Sequence, residues 1–324
     1  MGTVLTFRDR LGTVRARVGI ARNRYRVNPG LYCVGEPTPE SPVLVTANYK
    51  LSFDSLRKEL AGTDAWLLVA DTRGINVWCA AGKGTFSAEE TALQVQRSGL
   101  DRIVTHRRLI FPQLAAPGVA VHRLRKLCGF SGVFGPIRAA DIPAFLAGDG
   151  QATEAMRAVT FSLGERLVLV PVEIALVWKV FFLVTLGIFL LSGIGPGFFS
   201  LDAALTRGAA ATLGTVTAIL AGALLTPTLL PWIPGRQFWL KGAQIGGLAG
   251  IALVSTLTPL TLPERAGLLL WVTVAASYMA MNFTGATPFT SLSGVEKEMR
   301  RGLPFQITGT ALSLVLWLAA PFFR

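Results

Sequence analysis

The chain has 324 residues, of which 51% are hydrophobic and 15% charged, and its mean hydropathy is +0.50. Soluble globular proteins carry roughly 25% charged residues, so this composition excludes a single soluble domain and a disordered chain. Residues 1–166 hold 22 of the 31 lysines and arginines and 14 of the 19 acidic residues. This asymmetry predicts a polar domain followed by a membrane domain. The solid apolar blocks also exclude an outer-membrane barrel, whose strands alternate polar and apolar residues.

The formal net charge is +12. A basic chain can bind nucleic acid, but in a membrane protein lysine and arginine are typically kept beside anionic lipid on the cytoplasmic side. We therefore expect membrane lipid, and no nucleic acid, as a partner. Three cysteines indicate a reducing compartment and exclude an iron–sulfur cluster held by four thiolates of this chain. Two histidines exclude a histidine-rich metal site.

Residues 1–40 form a basic lead that fits either short strands or an arm lying across the next domain. From residue 41 to residue 165, strand-like apolar runs alternate with helical patterns, which predicts an α/β domain with a parallel sheet. The predicted strands, in chain order, are 43–46, 66–70, 103–105, 133–134 and 159–161. The predicted helices are 53–60, one that opens at Ser87 with a capping box formed with Glu90, then 119–127 and 140–147.

Ligands of parallel sheets bind outside the carboxyl ends of the strands. The predicted strands therefore direct attention to the loops that follow them, which are 46–50, 71–86, 106–118 and 135–138.

Five apolar blocks follow residue 166, and each is near the roughly 20 residues that cross a bilayer. They predict an all-α membrane domain over 166–324, with transmembrane helices at about 173–194, 208–229, 238–257, 266–284 and 305–322. Gly242, Gly246 and Gly250 in the third block form two overlapping GxxxG units, which indicate close packing within the bundle or between protomers.

The cations between the blocks predict an orientation. With the α/β domain in the cytoplasm, the cytoplasmic loops carry five cations, which are Arg236, Lys241, Lys297, Arg300 and Arg301. The opposite side carries three, which are Arg207, Arg265 and Arg324. This excess favours a multi-pass protein of the cytoplasmic membrane with its α/β domain inside.

The stretch from Asn76 to Phe86 follows the strongest predicted strand. Gly82 and Gly84 in this stretch allow close backbone approach. Cys79 stands among small residues, where a bulky planar group can reach its sulfur, and a thiolate is a soft, strong ligand for a transition metal. The alternative is a buried cysteine that behaves as a small hydrophobe. The run from Gly82 to Thr85 lacks the spacing of a phosphate loop, so we do not expect nucleotide hydrolysis.

The run Asn76-Val77-Trp78-Cys79-Ala80-Ala81-Gly82-Lys83 resembles the signature of the mercury methylation corrinoid protein family. That family is related to the corrinoid domain of the acetyl-CoA-pathway corrinoid iron–sulfur protein. The segments 46–54, 106–119 and 135–145 resemble further loops of the family, and the five-span tail also fits. The likeness covers roughly residues 30–324.

The resemblance implies a Rossmann-like domain that binds a cobalamin-type corrinoid in its base-off form. Cys79 would be the catalytic residue and the lower axial cobalt ligand, presented by a cap helix. Together with loop position, the resemblance marks as corrinoid contacts Thr46, Asn76, Val77, Trp78, Cys79, Ala80, Ala81, Gly82, Lys83, Gly84, Thr85, Phe86, His106, Pro112, Gln113, Gly118, Gly135, Pro136 and Arg138.

The activity implied by the resemblance is a corrinoid-dependent methyltransferase that passes a methyl group from cobalt to Hg(II), giving methylmercury. Because Hg(II) is an electrophile, the methyl group must arrive with electron density. The implied partners are a small two-cluster ferredoxin-like electron donor and a methyl donor system that is folate-linked. Two alternatives stay open: a corrinoid methyl carrier with another acceptor, and a membrane transporter or scaffold with a regulatory α/β domain.

Overall fold

A computed structural model describes residues 1–323, with the side chain of Leu292 left aside, so Arg324 lies outside the described residues. The chain divides into two compact units, Met1–Thr160 and Phe161–Arg324. We call them the N-terminal unit and the C-terminal unit.

The N-terminal unit is built on a five-stranded sheet. Its strands are β1 Gly30–Val34, β2 Val43–Ala47, β3 Ala65–Ala70, β4 Arg108–Phe111 and β5 Ser131–Phe134. Their spatial order is β1-β3-β2-β4-β5, with β2 to β5 parallel and β1 antiparallel to β3 at the edge. The sheet is thus mixed rather than all-parallel. The strand that follows β2 in sequence, β3, lies on one side of β2, and the next strand, β4, lies on its other side. The order of the strands therefore reverses between β2 and β4, and such a switch point opens a crevice at the carboxyl ends of the strands.

Helices complete the N-terminal unit. They are α1 Phe7–Arg17, α2 Lys50–Glu59, α3 Val77–Gly82, α4 Ala88–Ser98, α5 Leu100–Ile103, α6 Val121–Cys128, α7 Ile142–Ala147 and α8 Glu154–Arg157.

Both faces of the sheet are covered by apolar clusters, which explains the continuous apolar runs of the central strands. Along β2, Val43 and Val45 pack into one cluster, while Leu44 packs into the other. The first cluster includes residues of α4 and α6, such as Val95 and Leu124. The second includes residues of α2 and α7. The alternation of strand side chains therefore fixes which helices lie on which face.

The structure corrects several predicted elements. Residues 1–40, left open between strands and an arm, hold α1 and the edge strand β1. The predicted strand at 103–105 is the end of α5 and an extended link, in which Val104 is buried in the first cluster. A short apolar run of this kind cannot be told from a buried helix end by periodicity alone. The third parallel strand is β4, five residues further along the chain.

The predicted strand at 159–161 is absent from the sheet. Phe161 instead belongs to the C-terminal unit, where its ring stacks on Phe289 with centroids 4.5 Å apart. The predicted capping box of α4 is half formed. Ser87 accepts a hydrogen bond from the Glu90 N–H, but the Glu90 carboxylate accepts one from the N–H of Asp71 at 2.8 Å. Glu90 thus ties α4 to the end of β3 instead of closing its own cap.

Helix α1 is fastened to α2 by a ring of four ion pairs. Asp9 accepts from Lys50 at 2.6 Å and from Arg57 at 2.8 Å, and Asp54 accepts from the same two cations at the same distances. Hydrogen bonding to Lys50 is the main reason that the pKa of Asp9 lies well below its usual range. This ring fixes which face of α1 is turned toward α2.

The C-terminal unit is helical apart from a short hairpin, β6 Ile194–Gly195 with β7 Phe198–Phe199. Its helices are α9 Leu163–Leu167, α10 Val170–Ser192, α11 Leu201–Ile219 followed by a π-helical segment Leu220–Leu225, α12 Thr226–Leu229, α13 Phe238–Thr256, α14 Leu262–Ala286 and α15 Leu292–Ala319. Within the described residues, five helical stretches are long and apolar enough to cross a membrane. They are Leu163–Ser192, Leu201–Leu229, Phe238–Thr256, Leu262–Ala286 and Ser293–Phe323.

Two of the cations assigned to loops are buried inside helices. Arg207 is 3% exposed in α11 and pairs with Glu264, which is 0% exposed in α14, at 2.8 Å. Lys241 lies in the first turn of α13 and donates to the carbonyl of Leu230 at 2.6 Å. Both are therefore structural contacts of the helical bundle. The cation count that indicated the orientation loses one residue on each side.

The GxxxG face packs within the bundle. A Cβ at Gly242 would lie 2.5 Å from that of Ala280, and one at Gly246 would lie 2.5 Å from that of Ala276. The absence of side chains lets α13 lie directly against α14. Of the two expected uses of this face, the structure has the packing within the bundle.

Candidate functional site

The candidate site begins where β3 ends, at the carboxyl edge of the parallel strands. From Ala70 the chain makes a loop and enters α3, a helix of six residues that carries Cys79 in its first turn. Asn76 caps this helix, and its Oδ1 accepts a hydrogen bond from the N–H of Cys79 at 2.8 Å. A side-chain cap of this kind holds the first turn of a helix that is too short to be stable alone. The thiol of Cys79 is half-buried.

A buried asparagine directly after the neighbouring strand β2 organises the loop before α3. The Asn48 Oδ1 accepts from the N–H groups of Thr72 and Gly74, at 3.1 and 2.8 Å, and from the Thr72 hydroxyl at 2.9 Å. Its Nδ2 donates to Asp71 at 2.9 Å. These bonds hold two consecutive residues, Arg73 and Gly74, in the left-handed region, with φ of 58° and 76°. Asn48 thus positions the approach to α3.

Asn48 was not among the sequence-predicted contacts, although it stands in the segment 46–54 that resembles the family. The signal that could have found it is its place directly after a fully buried strand, where a polar residue must find internal partners. Thr46, two residues before Asn48, is buried inside β2 in register with Val69.

The far end of α3 is closed by its own backbone. The carbonyl of Ala80 accepts from the N–H groups of Thr85 and Phe86, at 2.9 and 3.1 Å. This turn leaves Gly82, Lys83 and Gly84 exposed. The side chain of Phe86 is fully buried, and its ring lies 6.3 Å from that of Phe111 in the core. Phe86 therefore packs in the core, and its predicted contact with a corrinoid stays a prediction.

The loop after β4 lies beside α3, and the loop after β5 lies beside the loop after β4. A Cβ built on Gly118 would come within 2.7 Å of the Ala81 Cα, so the loop after β4 touches the backbone of α3. The N–H of Gly135 donates to Phe111 at 2.8 Å, and the carbonyl of Pro136 accepts from Gln113 at 3.5 Å. Pro112 and Gln113 are half-buried. Arg138 is exposed and pairs with Asp141 at 3.0 Å.

His106 lies at the amino ends of the parallel strands, whereas α3 follows a carboxyl end. It precedes β4, because the strand begins at Arg108 and not at 103 as predicted. One ring nitrogen lies 2.9 Å from the carbonyl of Ser41, and the other accepts from the N–H of Arg108 at 3.2 Å. The structure therefore separates His106 from α3, and the prediction that it lies in the same loop as Pro112 is wrong.

Position in the sheet distinguishes the three cysteines. Cys33 lies on β1 opposite Trp66, at the amino end of β3. Cys128 ends α6 three residues before β5 begins, and burial raises the pKa of its thiol. Both therefore lie toward the amino ends of the parallel strands. Cys79, which follows the carboxyl end of β3, is the cysteine at the edge where such sheets bind ligands.

The comparisons with known proteins concern this unit. Residues 14–146 match the family model described as CO dehydrogenase/acetyl-CoA synthase delta subunit. The acetyl-CoA decarbonylase/synthase complex subunit gamma of Methanopyrus kandleri is 33% identical over 131 residues, which are 40% of this chain and 28% of that protein. Subunit gamma 2 of Methanosarcina mazei is 39% identical over 99 residues, 29% of this chain and 21% of that protein. The corrinoid/iron-sulfur protein large subunit of Moorella thermoacetica is 35% identical over 122 residues, 37% of this chain and 27% of that protein.

These likenesses support a relation between the N-terminal unit and the corrinoid protein of the acetyl-CoA pathway. The chain spans about a quarter of the length of these relatives. Mercury is named in none of the three relatives described above.

Proposed function

We propose that the N-terminal unit binds a corrinoid and that the protein transfers a methyl group from it to Hg(II), giving methylmercury, with the Cys79 thiolate as lower axial ligand of the cobalt. The observation that carries this proposal is the position of Cys79 on a short capped helix at the carboxyl edge of the sheet. The relation to a corrinoid/iron-sulfur protein supports the cofactor. The resemblance of residues 76–83 to the mercury methylation family supports the acceptor.

The residues around Cys79 fit a large planar group that carries a metal. Ala80 and Ala81, which follow the thiol, are small and buried, and Gly82 and Gly84 expose backbone without side chains. A half-buried thiol next to such a surface is open to a flat ligand, and thiolate is a soft donor that suits a late transition metal. The residues proposed to hold the group are Cys79 at the metal, and Trp78, Lys83, Thr85, Pro112, Gln113 and Arg138 around it.

The chain's own groups have two tasks in this proposal. Cys79 must lose its proton to bind a metal, so loading releases a proton to solvent. Asn76 and Asn48 would keep α3 and the loop before it fixed, so the sulfur would be held in place for the metal. A thiolate held in this way would donate electron density to the bound metal without first having to reorganise.

The corrinoid, when bound, supplies a methyl group on cobalt that can leave with its bonding electrons to an electrophile. Each turnover therefore consumes reducing equivalents and a methyl group. We propose a small two-cluster ferredoxin-like protein as the electron donor, because such clusters reach about −400 mV, and a folate-linked methyl donor.

We also propose that the C-terminal unit spans the cytoplasmic membrane with the N-terminal unit on the cytoplasmic side.

A second candidate function is that of a corrinoid methyl carrier with another acceptor. It is favoured by the names of the relatives, which are subunits of an acetyl-CoA decarbonylase/synthase complex. In this case Cys79 has the same role and Hg(II) is an incidental acceptor.

The test is a single turnover under anaerobic conditions. The full chain is purified in detergent, loaded with methylcobalamin and mixed with Hg(II), and methylmercury is measured against free methylcobalamin. Cys79→Ala and the nearly isosteric Cys79→Ser are compared with Cys33→Ala, a matched control at an exposed cysteine away from the site. Product above the free cofactor from wild type and Cys33→Ala, lost in both Cys79 variants, supports the proposal. Corrinoid binding without such product favours the second candidate, and no corrinoid binding contradicts both.

A further inference from the structure

Helix α1 presents an apolar stripe to solvent. Phe7, Leu11, Val14 and Val18 recur at intervals of four, three and four residues, which places them on one face. Their exposed fractions are 78%, 47%, 58% and 38%. Val4 before the helix and Ile20 after it are also exposed. Soluble helices bury such a stripe, so this face lacks the partner that its pattern implies.

The opposite face of α1 is already occupied, so the stripe cannot turn inward. Asp9 is held by Lys50 and Arg57, and Ala16 is fully buried. A Cβ at Gly12 would come within 2.4 Å of the Tyr25 hydroxyl oxygen, which shows how closely this face packs. The ring of ion pairs between α1 and α2 therefore fixes the apolar stripe on the outside.

Arginines line both sides of the stripe. Arg8 and Arg15 are one heptad apart on one side, and Arg10 and Arg17 are one heptad apart on the other. Asp9 is the one acidic residue among residues 1–35, and its charge is compensated by Lys50 and Arg57. Seven arginines lie between positions 8 and 26. An apolar stripe between rows of long cationic side chains matches the boundary between acyl chains and anionic headgroups, because arginine can reach the headgroups while its stem stays apolar.

We propose that α1 is an interfacial helix that binds the surface of an anionic bilayer through Phe7, Leu11, Val14 and Val18, with the flanking arginines on lipid phosphates. The occupant is a bilayer rather than a protein for two reasons. The positive charge brackets the apolar stripe on both sides, which is the arrangement that headgroups meet. The same chain also carries five helices long enough to cross a membrane, which keep a bilayer within reach. This surface does not depend on the proposed corrinoid chemistry.

The test is amide hydrogen exchange of the full chain in lipid nanodiscs, followed by mass spectrometry of peptides that cover residues 7–18. We expect exchange to be slower by about fivefold or more in discs that contain phosphatidylglycerol than in discs of phosphatidylcholine alone, because each arginine near an anionic surface adds affinity. The paired substitution Leu11→Glu and Val14→Glu should abolish the difference, and Arg8→Glu with Arg15→Glu should do the same. Both pairs are exposed, so neither is expected to disturb the fold.

Leu93→Glu is the matched control, because Leu93 is also an exposed leucine, on α4. It should leave the lipid difference unchanged. Equal exchange in the two lipids would overturn the proposal. So would slow exchange in detergent that depends on protein concentration, because a second copy or another protein would then cover the stripe. Loss of the difference in Leu93→Glu as well would also overturn it, since the effect would then not be specific to α1.

Discussion

Gly118, in the loop after β4, lies against Ala81 in α3 so closely that a Cβ at position 118 would stand 2.7 Å from the Ala81 Cα and 2.4 Å from the carbonyl oxygen of Phe86. Two loops that are distant in sequence thus meet through their backbones. The close approach connects α3, which carries Cys79, to the loop that begins with Pro112 and Gln113. The geometry of one loop therefore constrains the other.

Substitution Gly118→Ala should loosen this connection. The new methyl group meets backbone atoms that cannot rotate away, so we expect a loss of about 1–3 kcal/mol in stability and a displaced α3. Thermal unfolding of the full chain and the dissociation constant for methylcobalamin measure the two effects. Gly164→Ala is the control, because a Cβ there meets nothing within 4 Å. If Gly118→Ala unfolds and binds like wild type, the two loops are not coupled.

Substitution Asn48→Ala should disorder the approach to α3. It removes the acceptor of the Thr72 and Gly74 N–H groups from a buried position, and a buried donor left without a partner costs about 1–3 kcal/mol. We expect a lower unfolding temperature and faster amide exchange at residues 71–76. Asn28→Ala, at an exposed asparagine, should change neither. Normal protection of residues 71–76 in Asn48→Ala would contradict the role given to Asn48.

The ion-pair ring around Asp9 predicts a dependence of stability on pH. The pKa of the Asp9 carboxyl is depressed in the folded state, chiefly by Lys50, so its contribution is complete above the unfolded value of about 4. It is lost as the pH falls from there toward the depressed pKa. At pH 7, Asp9→Asn should lower the unfolding temperature, and the loss in the free energy of unfolding should be about 1–2 kcal/mol. The difference in unfolding temperature between Asp9→Asn and wild type should narrow below pH of about 4.

The control for this comparison is Asp101→Asn, at an exposed carboxylate. It should leave the unfolding temperature nearly unchanged at both pH values. A gap between Asp9→Asn and wild type that stays constant from pH 7 to pH 3 would show that Asp9 does not act through its charge.

The buried pair of Arg207 and Glu264 should be costly to break from one side. Glu264→Gln leaves a cation that is 3% exposed without its counter-charge, and such a loss costs about 3–5 kcal/mol. The double variant Arg207→Leu with Glu264→Leu should lose less stability than the single variants Arg207→Leu and Glu264→Leu lose together. Thermal unfolding in detergent measures both. Glu296→Gln breaks an exposed pair with Arg300 and should cost no more than about 1 kcal/mol. Equal losses at the two pairs would show that burial of the first pair is unimportant.

The sequence predicted the elements whose signal is local. The apolar runs at 43–46 and 66–70 lie in β2 and β3. They were predicted correctly because strands buried on both faces are continuous apolar runs without polar alternation. The strand predicted at 103–105 does not form. Gly99, with φ of 61°, ends α4 and precedes the short helix α5, and Val104, directly after α5, packs in the core. Because of this one error, His106 was predicted to follow the third parallel strand, whereas in the structure it precedes that strand.

The remaining part of the site depends on long-range contacts that no local pattern carries. The bonds from Asn48 to Thr72 and Gly74 join segments more than twenty residues apart. Arg207 was assigned to a loop by its charge, and its burial is explained only by Glu264 on another helix. Cys79 was singled out from sequence by local features, which are its small neighbours, its place after a strand and the resemblance of residues 76–83, and its role stays a prediction.

The role proposed for Cys79 is tested most directly by identifying the protein atom that coordinates the cobalt. The full chain, loaded anaerobically with a cobalamin, is measured by X-ray absorption at the cobalt edge, beside Cys79→Ala and Cys33→Ala. We expect a sulfur atom in the first coordination shell of wild type and Cys33→Ala, and its loss in Cys79→Ala. A first shell of nitrogen and oxygen atoms alone in all three proteins, with the corrinoid bound, would show that Cys79 is not the cobalt ligand.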